Sequence, residues 1–207
     1  MNKIRLTKTD IFTAALCLTA VLPGIVFYSR LPAEMPVHFD INDQPDRLAP
    51  KAVVIFLIPV LMCILQLVCC AFAFGREKDA VPGKLKAVCR IIIPVITVVL
   101  ETLTVMFAMD MYKNIGTVIL CLLGLVLIIV GNYMPKTRRN SVFGIKLPST
   151  LRSDRVWDST HRLAGWLWTL TGIIIIPLAL SELFIVSVIL IFIVVAVPVI
   201  YSLTISD

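Results

Sequence analysis

Residues 115–134 read IGTVILCLLGLVLIIVGNYM, twenty positions without a charged side chain. A helix rises about 1.5 Å per residue, so about 20 apolar residues cross the roughly 30 Å of hydrocarbon in a bilayer. The run is continuous rather than alternating, which marks a helix and not a strand of a membrane barrel. Outward from it, five more stretches share this character: 11–29, 52–74, 91–109, 163–181 and 183–203. The expected fold class is all-α, a polytopic integral membrane protein of six transmembrane helices in the cell membrane.

Composition agrees with the spans. Of 207 residues, 59% are hydrophobic and 15% charged, against about 45–50% apolar residues in a soluble domain. A soluble domain of this length buries only about 70% of its unfolded surface, too little to hide this chain from water. The first span follows Lys3, Arg5 and Lys8, as a signal peptide would, but its apolar run is longer than an ordinary signal core. The residues after it, Arg30-Leu31-Pro32-Ala33, contain no A-x-A cleavage site, so a retained helix is expected. Of the six cysteines, Cys17, Cys63, Cys69, Cys70 and Cys121 lie in apolar runs and Cys89 beside basic residues, without metal-like spacing. They read as free thiols serving as small hydrophobes.

In a soluble protein a net charge of +6 would raise the question of nucleic acid. In a membrane protein it is a matter of sides. Lys3, Arg5 and Lys8, then Arg76, Lys78, Lys84, Lys86 and Arg90, then Lys136, Arg138, Arg139, Lys146, Arg152, Arg155 and Arg162 all fall on one face if the spans alternate. Of the 19 basic residues, only Arg30, Arg47, Lys51 and Lys113 are left for the other. By the positive-inside rule both termini are expected in the cytoplasm, N-in and C-in.

The chain divides into an N-terminal three-span half, 1–109, and a C-terminal one, 110–207. The first holds a long outer connection, 30–51, and the second a long, basic inner connection, 135–162. Two halves of one plan in opposite orientation are what an inverted repeat would look like, although no residue-level match joins them. Pro23, Pro59, Pro94, Pro177 and Pro198 read as packing kinks. Gly124 and Gly131, seven apart on one helix face, would admit a close neighbouring helix.

In the outer connection, RLPAEMPVHFDINDQPDRLAPK, Pro32, Pro36, Pro45 and Pro50 prevent a continuous helix, and turns are expected at Ile41-Asn42-Asp43 and Gln44-Pro45-Asp46. His38 with Asp40 or Asp43 lacks a metal-ligand spacing, so no metal or cofactor is expected. Glu101 is the acid nearest a bilayer midplane, with Thr97, Thr102 and Thr104 nearby and Gln66 as a candidate partner. Ionisable groups there are costly and face the bundle interior, so three roles compete: ion coupling, ligand contact, or a hydrogen bond that pins two helices.

In the inner connection, Lys136, Arg138 and Arg139 would meet anionic lipid headgroups. Ser153 is a candidate N-cap with Asp154 in the first turn of a helix, on which Trp157 and His161 share a face and Asp158 can pair with Arg162. Trp157, Trp166 and Trp168 fit an interfacial aromatic belt. There is no phosphate-binding G-x-x-x-x-G-K-[ST], no H-E-x-x-H and no G-x-S-x-G, so no catalytic residue is named and an enzyme is not expected.

Two stretches carry a resemblance. The pattern Gly131-Asn132, Met134-Pro135-Lys136, Asn140, Phe143-Gly144-Ile145-Lys146, Pro148, Thr150-Leu151, then Trp157, His161-Arg162 and Gly165 resembles the SdpI family, membrane immunity proteins against a sporulation-delaying peptide toxin. Leu147 and Ser149 depart from the family's run. Leu31-Pro32, Pro36, His38-Phe39, Pro45-Asp46, Lys51 and Pro59 resemble the short DUF1648-like domain that precedes that segment.

The resemblance implies immunity: protection of the producing cell against a secreted toxic peptide, sensed by Pro36, His38, Phe39, Asp40, Asp46 and Glu101. It also implies signalling, in which the toxin-engaged protein captures a cytoplasmic ArsR-type autorepressor at the membrane. Asn132, Pro135, Lys136, Arg138, Arg139, Asn140, Phe143, Gly144, Lys146, Pro148, Thr150, Trp157, His161 and Arg162 would bind the repressor or relay the signal. No direct nucleic acid binding is expected. The alternative is a small ion-coupled transporter or permease using Glu101. A third class, an intramembrane enzyme, would draw on Asn140, Asp154, Asp158 and His161.

Overall fold

The computed structural model describes residues 6–40, 42–75 and 82–205. Lys3, Arg5, Ile41, Arg76 and Lys78, each given a place above, lie outside them. Six helical segments are long and apolar enough to cross a membrane: Lys8–Phe27, Val53–Phe72, Gly83–Ala108, Ile115–Lys136, Asp154–Leu180 and Phe184–Thr204. The protein is an all-α polytopic membrane protein, and its location is the cell membrane.

The first span is built from α1 (Lys8–Leu16), one tighter 3₁₀ turn at Cys17–Ala20, and α2 (Val21–Phe27). Thr7 and Asp10 start it with a reciprocal capping box, which satisfies two of the backbone donors a helix leaves open. Strands β1 (Glu34–Phe39) and β2 (Pro45–Pro50) follow, then a wider π turn at Val53–Leu57 that opens α3 (Ile58–Gly75). The remaining helices are α4 (Gly83–Ala108), α5 (Ile115–Tyr133), the short α6 (Pro148–Arg152), α7 (Asp154–Leu180) and α8 (Phe184–Thr204). All six cysteines are free.

The chain folds as two compact units, one of Lys3–Phe72 with Ala87–Ile119, the other of Ala73–Lys86 with Leu120–Asp207. In the first, Leu31, Met35, Val54, Ile55 and Val105 form the apolar core, so the connection after the first span contributes two of its members. At one end of this unit Arg90 Nε contacts Asp10 Oδ1 at 2.7 Å, with the Asp10 side chain almost fully buried. Gln66 joins that cluster, donating to the Arg90 carbonyl and to Cys70 Sγ, rather than serving as the expected partner of Glu101.

In the second unit Leu120, Leu127, Ile175 and Ala179 form the core. Gly124 and Gly131 on α5 meet Gly172 and Gly165 on α7. A Cβ at Gly124 would stand 2.9 Å from the Gly172 carbonyl oxygen, and one at Gly131 would stand 3.0 Å from that of Gly165. The sequence showed half of this crossing.

Among the described residues one element is not helical. The connection after the first span is an antiparallel hairpin with Glu34 opposite Pro50, Met35 opposite Ala49 and Pro36 opposite Leu48. The register shifts beyond Pro36, so that His38 faces Arg47 and Phe39 faces Pro45. Prolines lack the donor that a third strand would need, which suits them to a two-stranded ribbon. The turn runs from Asp40 to Gln44, with Asp43 at a φ of 61°. The second turn expected at Gln44-Pro45-Asp46 is not formed, because Pro45 and Asp46 open β2.

Candidate functional site

The hairpin is held at three points. At its base the Lys51 ammonium donates to the Tyr28 and Leu31 carbonyls at 2.9 and 3.2 Å and lies 4.5 Å from the Tyr28 ring centre. In its middle Met35 is buried and Phe39 meets Phe107 edge-on, ring centres 5.0 Å apart. At its tip Asp43 Oδ1 accepts the Gly116 N–H at 2.9 Å. Gly116 lies in the first turn of α5, where backbone donors are open, so Asp43 caps a helix 73 residues further along the chain.

Beneath β1 lies a cavity of about 210 Å³. Pro36, Val37 and Phe39 line it from the hairpin, Val54, Ile58 and Met62 from the π turn and α3, and Ile115 and Ile119 from α5. α4 supplies Thr97, Glu101 and Thr104, spaced so that they share one helix face, together with Ile96 and Leu100. Glu101 is 4% exposed, and its Oε1 has no hydrogen-bond partner among the described residues. Thr102 is not among the lining groups and donates to the Val98 carbonyl. Three of the six residues read as toxin-sensing, Pro36, Phe39 and Glu101, therefore converge on one space.

The other three do not. His38 Nδ1 and Asp46 Oδ1 pair at 2.6 Å with 57% and 44% of their side chains exposed, outside the cavity lining. Asp40 staples the turn, its Oδ1 accepting the Asn42 and Gln44 N–H groups at 2.9 and 2.8 Å. The Gln44 N–H, more than any other group, holds this carboxyl below the usual carboxylate range.

The second connection is folded on itself. The Asn140 side chain accepts the Val142 and Phe143 N–H groups and donates to the Arg138 carbonyl, making it the core of a tight loop. Trp157 is fully buried and its indole N–H donates to the Thr137 carbonyl at 2.9 Å. The His161 ring stacks on Trp157 with 3.9 Å between ring centres. Its Nε2 receives the Ile145 N–H at 3.0 Å, and a backbone N–H can only donate. Nε2 is therefore bare, and Nδ1 carries the proton it donates to the Trp157 carbonyl at 2.8 Å.

Gly144, at a φ of 118°, fits over this ring pair, where a Cβ would collide with His161 Nε2. Thr150 shares its hydroxyl proton between the Ile145 and Leu147 carbonyls and accepts the Leu147 N–H, bracing the first turn of α6, which opens at Pro148. Ser153 caps α7 as expected, accepting the Val156 N–H.

Charge in this connection is divided between internal and outward use. Arg139 pairs with Asp154 at 2.7 Å and donates to the Leu151 carbonyl. Lys146 donates to the Ser141 and Val142 carbonyls, and Lys136 to Asn132. Asp158 and Arg162 form no ion pair with each other or with any other of the described residues. Arg138 and Arg162 are exposed, as is Pro135, while Phe143 is half-buried. Of the three tryptophans expected in an aromatic belt, Trp166 is 75% exposed, Trp157 is buried, and half-buried Trp168 donates to the Val194 carbonyl.

Residues 136–202, which span most of this folded connection and the last two helices, match the SdpI/YfhL protein family. The chain carries an SdpI-family segment. Residues 15–63, which contain the whole hairpin, match a domain of unknown function, DUF1648. The chain is similar to Immunity protein SdpI of Bacillus subtilis (strain 168), 28% identical over 173 residues, covering 83% of this chain and 82% of that protein. It is also similar to the uncharacterized membrane protein YbgB of the same organism, 38% identical over 60 residues, covering 29% of this chain and 58% of that protein. No solved structure matches. Within the SdpI segment, Gly144, Trp157 and His161 pack directly on one another and Asn140 and Thr150 bond to the backbone beside them, whereas the contacts of Asp43 with Gly116 and of Lys51 with Tyr28 and Leu31 were not expected from the sequence.

Proposed function

We propose that this chain is a membrane immunity protein that protects the cell making it against a secreted toxic peptide. The observation that carries this is the similarity to Immunity protein SdpI over 83% of the chain. The cavity beneath β1 supports it, because an apolar space closed by a hairpin and holding one buried acid suits recognition of part of an apolar peptide. In this assignment Pro36, Phe39 and Glu101 meet the peptide, while His38, Asp40 and Asp46 keep the hairpin in shape. Expression in a peptide-sensitive host followed by challenge tests it. Survival is expected, and killing at the rate of cells without the protein would overturn it.

The finer part of the proposal is signalling. With both termini in the cytoplasm, the connection 135–162 faces an ArsR-type repressor, and toxin binding raises its affinity for that partner. Reversing a two-state balance from 1:99 to 99:1 requires about 10⁴-fold preference of the toxin for one state. Arg138 and Arg162 are the residues to test, because reversing Arg139 would also break its pair with Asp154. Arg138→Glu with Arg162→Glu should abolish membrane capture of the repressor, and intact capture would remove these side chains from the mechanism.

A second reading is favoured by Glu101 itself, whose unpartnered oxygen in a membrane-spanning helix suits ion coupling. In reconstituted vesicles a coupled permease would lose flux in Glu101→Gln, and flux unchanged by that substitution would sink this reading.

A further inference from the structure

With the Glu101 carboxyl ionised, the polar groups of α4 that face the cavity are all hydrogen-bond acceptors. The Thr97 hydroxyl donates its proton to the Ile93 carbonyl at 2.7 Å, and the Thr104 hydroxyl donates to the Leu100 carbonyl at 2.9 Å. What each presents beyond its own helix is lone pairs. The two hydroxyls stand seven residues apart, about 10.5 Å along α4, so one bound atom reaches only one of them, and Thr97 is already within hydrogen-bonding reach of Cys17, which leaves Thr104. Glu101 adds an oxygen that is buried and receives no donor among the described residues. Water is largely excluded from that carboxyl, and a buried acceptor without a donor is destabilising. The site is thus complementary to a group rich in donors and lacking acceptors.

The rest of the lining narrows the choice. Ile96, Leu100, Ile115 and Ile119 surround the acceptors with hydrocarbon, which suits a carbon stem and does nothing for the water shell of a bare metal cation. A cavity of roughly 150 Å³ takes up benzene, so about 210 Å³ admits one group of side-chain size and not a helix. A guanidinium carries five N–H donors in a rigid fork, more than Glu101 and one neighbouring threonine match, whereas a primary ammonium carries three on a compact head with a flexible stem.

We propose that this cavity binds an aliphatic primary ammonium, with its –NH₃⁺ on Glu101 and Thr104 and its carbon stem against Ile96, Leu100 and Ile119. It rests on the immunity reading only for the source of the group, which would be a lysine side chain of the toxic peptide.

The test uses the full-length protein in detergent micelles, with n-butylammonium chloride as the probe because it reproduces the lysine stem. n-Butanol and sodium chloride at equal concentration are the controls, and the readout is the thermal unfolding midpoint, which a ligand of the folded state raises by mass action. A saturable rise with butylammonium alone is expected. Glu101→Gln should weaken the apparent affinity at least tenfold, and Thr104→Val several-fold. An equal rise with butanol, an equal rise with sodium, or undiminished affinity in both variants would each overturn the proposal. If Glu101→Gln fails to fold, Thr104→Val and the butanol comparison on the unaltered protein decide alone. Protection of challenged cells by a protein that does not bind butylammonium would overturn the ammonium site and leave immunity standing. Binding without protection would support the site and overturn immunity.

Discussion

Gly144 combines a φ of 118° with a close approach to the His161 and Trp157 rings, so both its backbone and its missing side chain are used. Gly144→Ala should lower unfolding stability by about 1–3 kcal/mol, the cost of holding an ordinary residue in such a conformation, or more if the rings cannot yield. A midpoint in detergent equal to the unaltered protein's would contradict this. At Asp40 the expectation concerns pH. Its carboxyl is held below the usual range mainly by the Gln44 N–H. The turn's share of stability is therefore fully present above about pH 4, the ordinary carboxylate value, and is lost as pH falls through the lower folded value. The Gln44 amide resonance, followed by NMR, should titrate below pH 4 and should lose that titration in Asp40→Asn. The family resemblance pointed to Asn140, Gly144, Thr150, Trp157 and His161, but not to what they do. They were expected to bind the repressor or relay the signal, and in the structure they bond or pack within their own connection, because a loop's path decides which polar group finds which backbone atom.

At the scale of elements, the helices were legible because a bilayer demands long apolar runs, and nothing in the chain competes with that signal. The hairpin was not, because its prolines and its register shift mask the alternation by which a strand is recognised. The α5–α7 crossing was half legible. Gly124 and Gly131 signalled a close face, while Gly165 and Gly172 took their meaning only once α7 was known to lie opposite. Gly172→Leu puts a large side chain where a Cβ already meets the α5 backbone. Overpacking of this kind costs about 1–3 kcal/mol, and more where the backbones must part. Thermal unfolding should show the loss, whereas Ile173→Leu, an exposed position one residue on, should leave the midpoint unchanged.

For the whole molecule, the positive-inside distribution of Lys and Arg makes a prediction that contacts do not. A fluorescent protein fused after Asp207 should fluoresce, and alkaline phosphatase fused there should be inactive, whereas phosphatase fused after Lys51 should be active. Inactivity at Lys51 would invert the sidedness on which the repressor proposal rests. The candidate cavity was not legible as a cavity, since its walls come from segments far apart in the chain, although Pro36, Phe39, Thr97, Glu101 and Thr104 were each singled out. The anchoring of the hairpin also sets an order of assembly. A two-stranded ribbon is marginal by itself, and the ribbon at 34–50 leaves the ribosome before Phe107 and Gly116 exist. It must wait, incompletely supported, until the third span is inserted and the fourth has begun. The cavity is therefore closed late, by a piece of the chain made early, and a chain interrupted before residue 116 would leave its lid without the catch at its tip.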